Sequence, residues 1–332
     1  MLDGKTLLLT GGTGSFGQAF VRHVLAHHAP SQVLVYSRDE QKQMEMAEAL
    51  PHPALHFVLG DVRDATRLRQ VMTGVDVVIH AAALKHVPTG EHHPMECIKT
   101  NVLGADHLIQ AAQQAGVASV VALSTDKAAS PVSLYGASKL AADKLFVAAN
   151  RLPGNATRFS VVRHGNVVGS RGSVVPHFDR LLSEGTDYLP ITDERMTRFW
   201  LTPEAAVDVV LRALERMQGG EIFVPKAPSI RITELASAMA PDVPQRVVGR
   251  RPGEKLHEAM CPADDSHLTL AFDDHYVLQP SVRTTTDYRT NGLGEYGEPV
   301  PDGFVYSSGD NPEFLSLDDL QNWHEARTNA RT

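Results

Sequence analysis

Thr6-Leu-Leu-Leu-Thr10-Gly-Gly-Thr-Gly-Ser-Phe-Gly17 is the stretch that decides the fold of this chain. A short apolar run enters a turn with glycine at positions 11, 14 and 17, and the amphipathic segment 18–27 follows. Glycines at that spacing, between a strand and a helix, permit a tight turn and let a phosphate approach the backbone at the helix N-terminus. The context therefore predicts a dinucleotide site contacted by Gly11, Thr13, Gly14, Ser15, Phe16 and Gly17.

The same alternation continues outward. Residues 32–36, 55–59, 75–80, 119–124 and 159–163 read as short buried strands. Residues 39–50, 66–72 and 95–115 and the segment opening near Tyr135 read as helices. Apolar strands separated by helices imply a parallel sheet covered on both faces. The expected fold is α/β, a Rossmann-type doubly wound parallel sheet over residues 1–165. Beyond Gly165, prolines and glycines punctuate shorter elements, with helices expected at 203–218 and 232–240. Residues 166–286 are expected to form a smaller, irregular substrate-binding portion on the carboxyl edge of the sheet, partly returning to it. The tail, 287–332, is rich in Gly, Asp, Asn and Ser; only 315–323 reads as helix, and no role is assigned to it.

Composition narrows the function. Of 332 residues, 42% are hydrophobic and 21% charged, ordinary proportions for a soluble globular protein. The formal charge is 31 − 39 = −8 with no basic block, which argues against nucleic acid or an anionic membrane as partner. No apolar run is long enough to span a bilayer, and a strand starting at Thr6 leaves no room for a signal peptide, so a cytoplasmic location is expected. Cys97 and Cys261 lie in no motif and read as free thiols. The 16 histidines include adjacent pairs at 27–28 and 92–93, but none has metal-ligand spacing, and no metal is expected.

The end of the second strand bears on the choice of nicotinamide cofactor. An acidic residue there suits the ribose hydroxyl of NAD, whereas Arg suits the 2′-phosphate of NADP. Ser37-Arg38-Asp39-Glu40-Gln41-Lys42 offers a hydroxyl and two cations, Arg38 and Lys42, favouring NADP, although Asp39 could still bind a hydroxyl. Asp61 and Val62 follow the third strand and suit the adenine edge. Ala81, Ala82 and Ala83 follow the fourth and leave room for the cofactor, and Lys85 comes next.

Chemistry concentrates in Ser124-Thr125-Asp126-Lys127 and Tyr135-Gly-Ala-Ser-Lys139. The first lies at the carboxyl end of the fifth strand, where open α/β sheets bind ligands. Tyr-x-x-x-Lys sets a phenol and an ammonium one helical turn apart, and a neighbouring cation favours the phenolate of a general base. Alcohol oxidation requires no more than that pair, so Asp126 and Lys127 are surplus. On a hexose, Tyr135 would take the O4 proton during C4 oxidation, and the resulting ketone would acidify C5–H. Lys127, if neutral, would take that proton, and Asp126, if protonated, would donate to the departing C6 hydroxyl. Adjacent Asp and Lys normally form an ion pair, so the site must override that tendency or share one proton across the two.

These residues, with His80-Ala-Ala-Ala-Leu-Lys-His-Val-Pro88, Arg163-His-Gly-Asn-Val-Val-Gly-Ser-Arg171, Arg195-Met-Thr-Arg-Phe-Trp200 and Arg250-Arg-Pro-Gly-Glu-Lys-Leu-His-Glu258, closely resemble the inverting UDP-N-acetylglucosamine 4,6-dehydratases. Those enzymes are extended short-chain dehydrogenase/reductases that open pseudaminic acid biosynthesis. The resemblance spans roughly residues 3–280. It implies NADP, UDP-N-acetylglucosamine and inversion at C5, with Asp126, Lys127, Tyr135 and Lys139 catalytic. It further implies that Ser124 and Lys139 meet the cofactor, and that Lys85, Thr125, Asn166, Arg171, Arg198, Arg251 and Glu254 join the catalytic groups around the UDP-sugar. A homo-oligomer, dimer or hexamer, is implied, with 94–104 and 139–150 as a candidate face. Sugar dehydratases acting on dTDP-glucose typically carry Glu where this chain has Lys127, and relatives usually have Tyr where this chain has His164. A UDP-hexose 4-epimerase would need no acid or base beyond the tyrosine, so Asp126-Lys127 argues against it. A retaining 4,6-dehydratase is a closer rival. A non-catalytic NADP-binding sensor would have no use for Tyr135 and Lys139.

Overall fold

Strand β1 (Thr6–Thr10) is buried on both faces, Leu8 entering one apolar cluster and Leu7 and Leu9 the other. Such two-sided burial belongs to an inner parallel strand. In this computed structural model, which describes residues 1–282 and 285–329, the alternation continues regularly. It runs α1 (Ser15–His27), β2 (Gln32–Ser37), α2 (Glu40–Ala49), β3 (Leu55–Leu59), α3 (Ala65–Val71) and β4 (Val77–His80). Then come α4 (Val87–His92), α5 (Pro94–Ile98), α6 (Gly104–Ala115), β5 (Ser119–Thr125), α7 (Leu134–Ala149) and β6 (Arg158–His164). These strands lie parallel in the order 3-2-1-4-5-6. The architecture is the doubly wound α/β fold that the first turn predicted.

Helix faces explain the layers. Phe20, Val21 and Val24 of α1 cover the face carrying Leu7 and Leu9; Leu68 of α3, Leu108 of α6 and Phe146 of α7 cover the other. Fully burying each such side chain is worth about 1.5–3 kcal/mol. Residues 95–115 are helical throughout, as expected, but not uniformly so. Between α5 and α6 the chain widens into a π-helical turn, Lys99–Leu103. Asn101 is buried there, its amide accepting from Leu84 N (2.8 Å) and donating to Leu84 O (3.0 Å). Turns of this type often mark functional regions.

The second half continues with β7 (Asn166–Val167), α8 (Val174–Ser183), β8 (Leu189–Ile191), β9 (Thr197–Leu201), α9 (Pro203–Arg216), β10 (Ile222–Pro225), β11 (Ser229–Arg231), α10 (Ile232–Met239) and β12 (Gln245–Val247). It ends with β13 (Ala259–Cys261), β14 (Thr269–Ala271), β15 (His275–Leu278), β16 (Glu298–Pro299), β17 (Tyr306–Ser307) and α11 (Leu317–Asn329). Strand β10 joins the large sheet parallel to β6, and β15, β14 and β16 extend it antiparallel. Strands β7, β9 and β11 form a small separate sheet, and Trp200, Ile230, Leu235 and Leu320 share a third apolar cluster. Helix α9 starts as its sequence requires, Thr202 Oγ1 accepting from Ala205 N at 3.1 Å with Pro203 in the first turn. Helix α11 is capped reciprocally at its N-terminus by Ser316 and Asp319, and it runs on to Asn329, beyond the expected 315–323. Among the described residues, no helix is long and apolar enough to cross a membrane.

Candidate active site

A cleft of about 1360 Å³ runs along the carboxyl ends of the parallel strands and under the second half. At its β1 end, Gly11 has φ +68°, and a Cβ there would lie 2.8 Å from Ala82 Cα. Only glycine lets the turn and the alanine wall, Ala81 to Ala83, approach so closely. Helix α1 is capped by Gly14 without a side-chain hydrogen bond, so its first amides are left for a ligand. That donor set and open cradle fit a dinucleotide pyrophosphate. Thr13, Ser15, Phe16 and Gly17 line the same turn.

At the outer end, Ser37 Oγ accepts from Gln43 Nε2 (3.0 Å), and Arg38 lies 3.6 Å from Asp61. Asp61 is gripped more tightly by Arg63, at 2.6 Å, with Val62 buried beside it. Lys42 pairs with Asp39, whose carboxylate also caps α2 by accepting from Lys42 N at 3.1 Å. Both cations expected to meet a 2′-phosphate thus have carboxylate partners. Half-exposed pairs of this kind contribute little and exchange readily.

Midway, β5 ends in a single 3₁₀ turn, Asp126–Ala128, capped by Thr125 Oγ1. The Lys127 amine lies 3.0 Å from Asp126 Oδ1, 3.3 Å from Glu258 Oε1 and 3.4 Å from Asn166 Oδ1. Every residue expected in the site lines the cleft except Asp126, which is fully buried behind Lys127. Helix α7, capped by Ser133, carries Tyr135 and Lys139 to the same place. A Cβ on Gly136 would stand 2.2 Å from Lys127 O, so glycine is what allows α7 to press against the Asp126 turn.

Burial disfavours both charges of the Asp126–Lys127 pair, but their mutual attraction wins. Asp126 sits below the ordinary carboxylate value, held there chiefly by Lys127 against the effect of burial. Lys127 sits above the ordinary lysine value, burial being outweighed by Asp126 and Glu258. The resting pair is therefore ionised. Burial pushes the Tyr135 phenol up to about 12, against a downward pull from Lys127. Lys139, the cation expected to act on the phenol, lines the cleft with Tyr135. Its amine donates to Leu123 O at 2.6 Å, and burial lowers its own pKa against the pull of Asp143.

Behind this wall, Asp143 Oδ2 accepts from Ser124 Oγ (2.8 Å) and Arg163 (3.2 Å), and Arg163 also donates to Met260 O (3.0 Å). His164 donates from Nδ1 to Gly165 O, and burial lowers its pKa, so the ring is neutral. On the opposite wall, Arg198 is anchored to Thr197 O and Leu256 O, Arg171 N donates to Ser15 Oγ (3.3 Å), and Glu254 closes its own turn by accepting from Arg251 N (3.0 Å). Lys85 lines the cleft between the two walls. Among the described residues no His, Cys, Asp and Glu group could hold a metal. The reading from sequence missed the role of Glu258, a 2% exposed carboxylate against Lys127. Its only signal was its place at the end of the quoted Arg250–Glu258 run.

Residues 7–280 match the polysaccharide biosynthesis protein family. The chain is 55% identical over 324 residues to an inverting UDP-N-acetylglucosamine 4,6-dehydratase of Campylobacter jejuni, covering 96% of this chain and 97% of that one. It is 43% identical over 286 residues to a UDP-glucose 4-epimerase of Rickettsia canadensis, covering 84% of each. The crystal structure of DesIV, a dTDP-glucose 4,6-dehydratase from Streptomyces venezuelae solved with NAD bound, superposes with a TM-score of 0.70 at 29% identity, over 76% of this chain and 86% of that one. The chain belongs to the polysaccharide biosynthesis protein family, and within it to the group of inverting UDP-N-acetylglucosamine 4,6-dehydratases that it resembles over nearly its whole length.

Proposed function

We propose that the chain converts UDP-N-acetylglucosamine to UDP-2-acetamido-2,6-dideoxy-β-L-arabino-hex-4-ulose, inverting C5, as the first step of pseudaminic acid biosynthesis. The observation that carries this reading is Lys127 on the cleft wall beside Tyr135, paired at 3.0 Å with Asp126 buried behind it. NADP is the proposed cofactor, with Arg38, Lys42 and Ser37 toward its 2′-phosphate and the Gly11–Gly17 turn under its pyrophosphate. When bound, it supplies the hydride acceptor for C4 and returns the hydride to C6.

The residues do the rest. Tyr135 takes the O4 proton as the phenolate, a form that the positive charge of Lys127 favours against the burial that pushes the phenol up. One proton shift across the 3.0 Å contact from Lys127 to Asp126 converts the ion pair into a neutral amine and a carboxylic acid. No proton need enter from solvent. A sugar filling the cleft excludes water, which makes separated charges costlier and favours that shift. The amine then takes the C5 proton, and the acid protonates the leaving C6 oxygen. Arg198, Arg171, Arg251, Glu254, Asn166, Thr125 and Lys85 surround the UDP-sugar in this reading. The protein would work in the cytoplasm as a homo-oligomer, with Met95 and Leu103, both exposed, on the candidate face.

The 4-epimerase relatives favour a second reading, in which Tyr135 oxidises C4 and the ketone is reduced from its other face. Incubation with UDP-N-acetylglucosamine in D2O, followed by NMR, separates the two. A dehydrated product with inverted, deuterated C5 is expected; UDP-N-acetylgalactosamine as product would sink the proposal.

A further inference from the structure

Glu258 is bound into the protein from both directions. Its backbone N donates to Ser308 Oγ (2.9 Å), and its carbonyl accepts from Ser308 N (2.8 Å). Ser308 is in turn tied to Thr197 Oγ1 at 2.8 Å. The side chain, 2% exposed, points at the Lys127 amine, with Oε1 at 3.3 Å. Oε2 lies 3.8 Å from Lys255 Nζ and accepts no hydrogen bond among the described residues. A buried carboxylate with an unused acceptor is costly, on the order of 1–3 kcal/mol, and a simple structural anchor would have no need of it.

We infer that Glu258 is a positioning residue for Lys127: it fixes the amine at the cleft wall, in the place from which it takes the C5 proton. This assignment rests on the dehydratase reading above. In the elimination the C5–H bond breaks and an N–H bond forms at Lys127 Nζ. The electron pair passes through the enolate to form C5=C6 as C6–O breaks, and the Asp126 proton leaves with that oxygen as water. Lys127 ends as an ammonium and Asp126 as a carboxylate. The charges in the structure are those before the proton shift and again after elimination, so the Glu258 contact at 3.3 Å acts on where the amine stands and leaves the charge balance of the cycle unchanged. Other charged or titratable groups that act on Lys127 are Arg198 from β9, Tyr135 from α7, His164 from β6, and Lys85 and Lys255, and Lys139 and Arg171 line the same cleft. Arg198 opposes the ammonium, leaving Asp126 and Glu258 to hold it.

The test uses the full chain, UDP-N-acetylglucosamine, NADP and D2O, and follows two steps separately. Reduced-nicotinamide absorbance in a single turnover reports C4 oxidation, and deuterium entry at C5 reports the proton transfer. Glu258→Gln keeps the shape and removes the charge. It should slow C5 exchange by about tenfold or more, the size of one charge-assisted contact, while KM and the rate of cofactor reduction stay near wild type. Reduced cofactor should therefore accumulate. Wild-type exchange in E258Q, or an equal loss in both steps, overturns the assignment. If E258Q does not fold, Glu258→Asp decides by the same criterion, slowed exchange with unchanged reduction supporting the assignment and any other pattern refuting it. A wild-type protein that forms no dehydrated product sinks the dehydratase reading and this assignment with it.

Discussion

Two buried groups of charge flank Tyr135, and they are built differently. On one side, Asp143 and Arg163 are each 2% exposed, joined at 3.2 Å, with Ser124 and Met260 O as further partners and Lys139 tied to a strand carbonyl. On the other, Lys127 is 27% exposed to the cleft and shared by two carboxylates, and Asp126 Oδ2 and Glu258 Oε2 accept no hydrogen bond among the described residues. The first group has its charges locked to strands β5, β6 and β13. The second keeps unused acceptors beside the Lys127 amine. In the proposed reaction the difference becomes a division of labour: the locked group sets geometry for oxidation, and the open group does the proton work of losing water.

Substitutions can break that division. The largest expected effect is on the open side. Lys127→Ala removes the proposed C5 base and should cut product formation by roughly 10²–10⁴-fold and abolish C5 deuterium exchange; its carboxylate neighbours can take up protons, so the fold should survive. Exchange retained at the wild-type rate would show that another group is the base. On the locked side the loss should appear in stability instead. Arg163→Met strands the Asp143 charge and should cost about 3–5 kcal/mol in urea unfolding, whereas a cost below about 1 kcal/mol would mean the pair is not structurally critical.

The smallest effect is set by pH. His80 is buried, bonded to Thr10 Oγ1 at 2.8 Å, and held at about 3 by burial and then by Lys139, against 6.5 when unfolded. Above 6.5 neither state binds the proton. Below it the unfolded chain binds a proton that the folded chain refuses, so stability should fall as pH drops, by about 1.4 kcal/mol per unit. His80→Gln should flatten that acid limb in unfolding measurements, and an unchanged slope would assign it to other groups.

The parts of this site that were legible in the sequence are those built by neighbours in the chain. The turn from Thr10 to Gly17 and the pair Tyr135 and Lys139 depend on local spacing, and the structure puts them on one cleft. Lys127 was readable as a site residue for the same reason. What was hidden depends on distance. Glu258 meets Lys127 only because β13 pairs with β17 and Ser308 holds its backbone, contacts that no spacing rule encodes. The direction of the Lys139 amine, onto Leu123 O, follows from how α7 lies on β5, which the helical period alone does not reveal. The π-helical turn was missed because Asn101 trades helix regularity for two bonds to Leu84.

The clamp at Ser308 also bears on where the working unit ends. The family match stops at residue 280, yet the backbone that aims Glu258 is fastened 28 residues later, since 308 − 280 = 28. Tyr306 and Asn311 fasten the same stretch to Ala227, and a Cβ at Gly309 would lie 2.7 Å from the His257 ring. The end of that match is therefore not the boundary of autonomy: a chain ended at 280 would keep strands β1 to β6 and lose the brace behind Glu258.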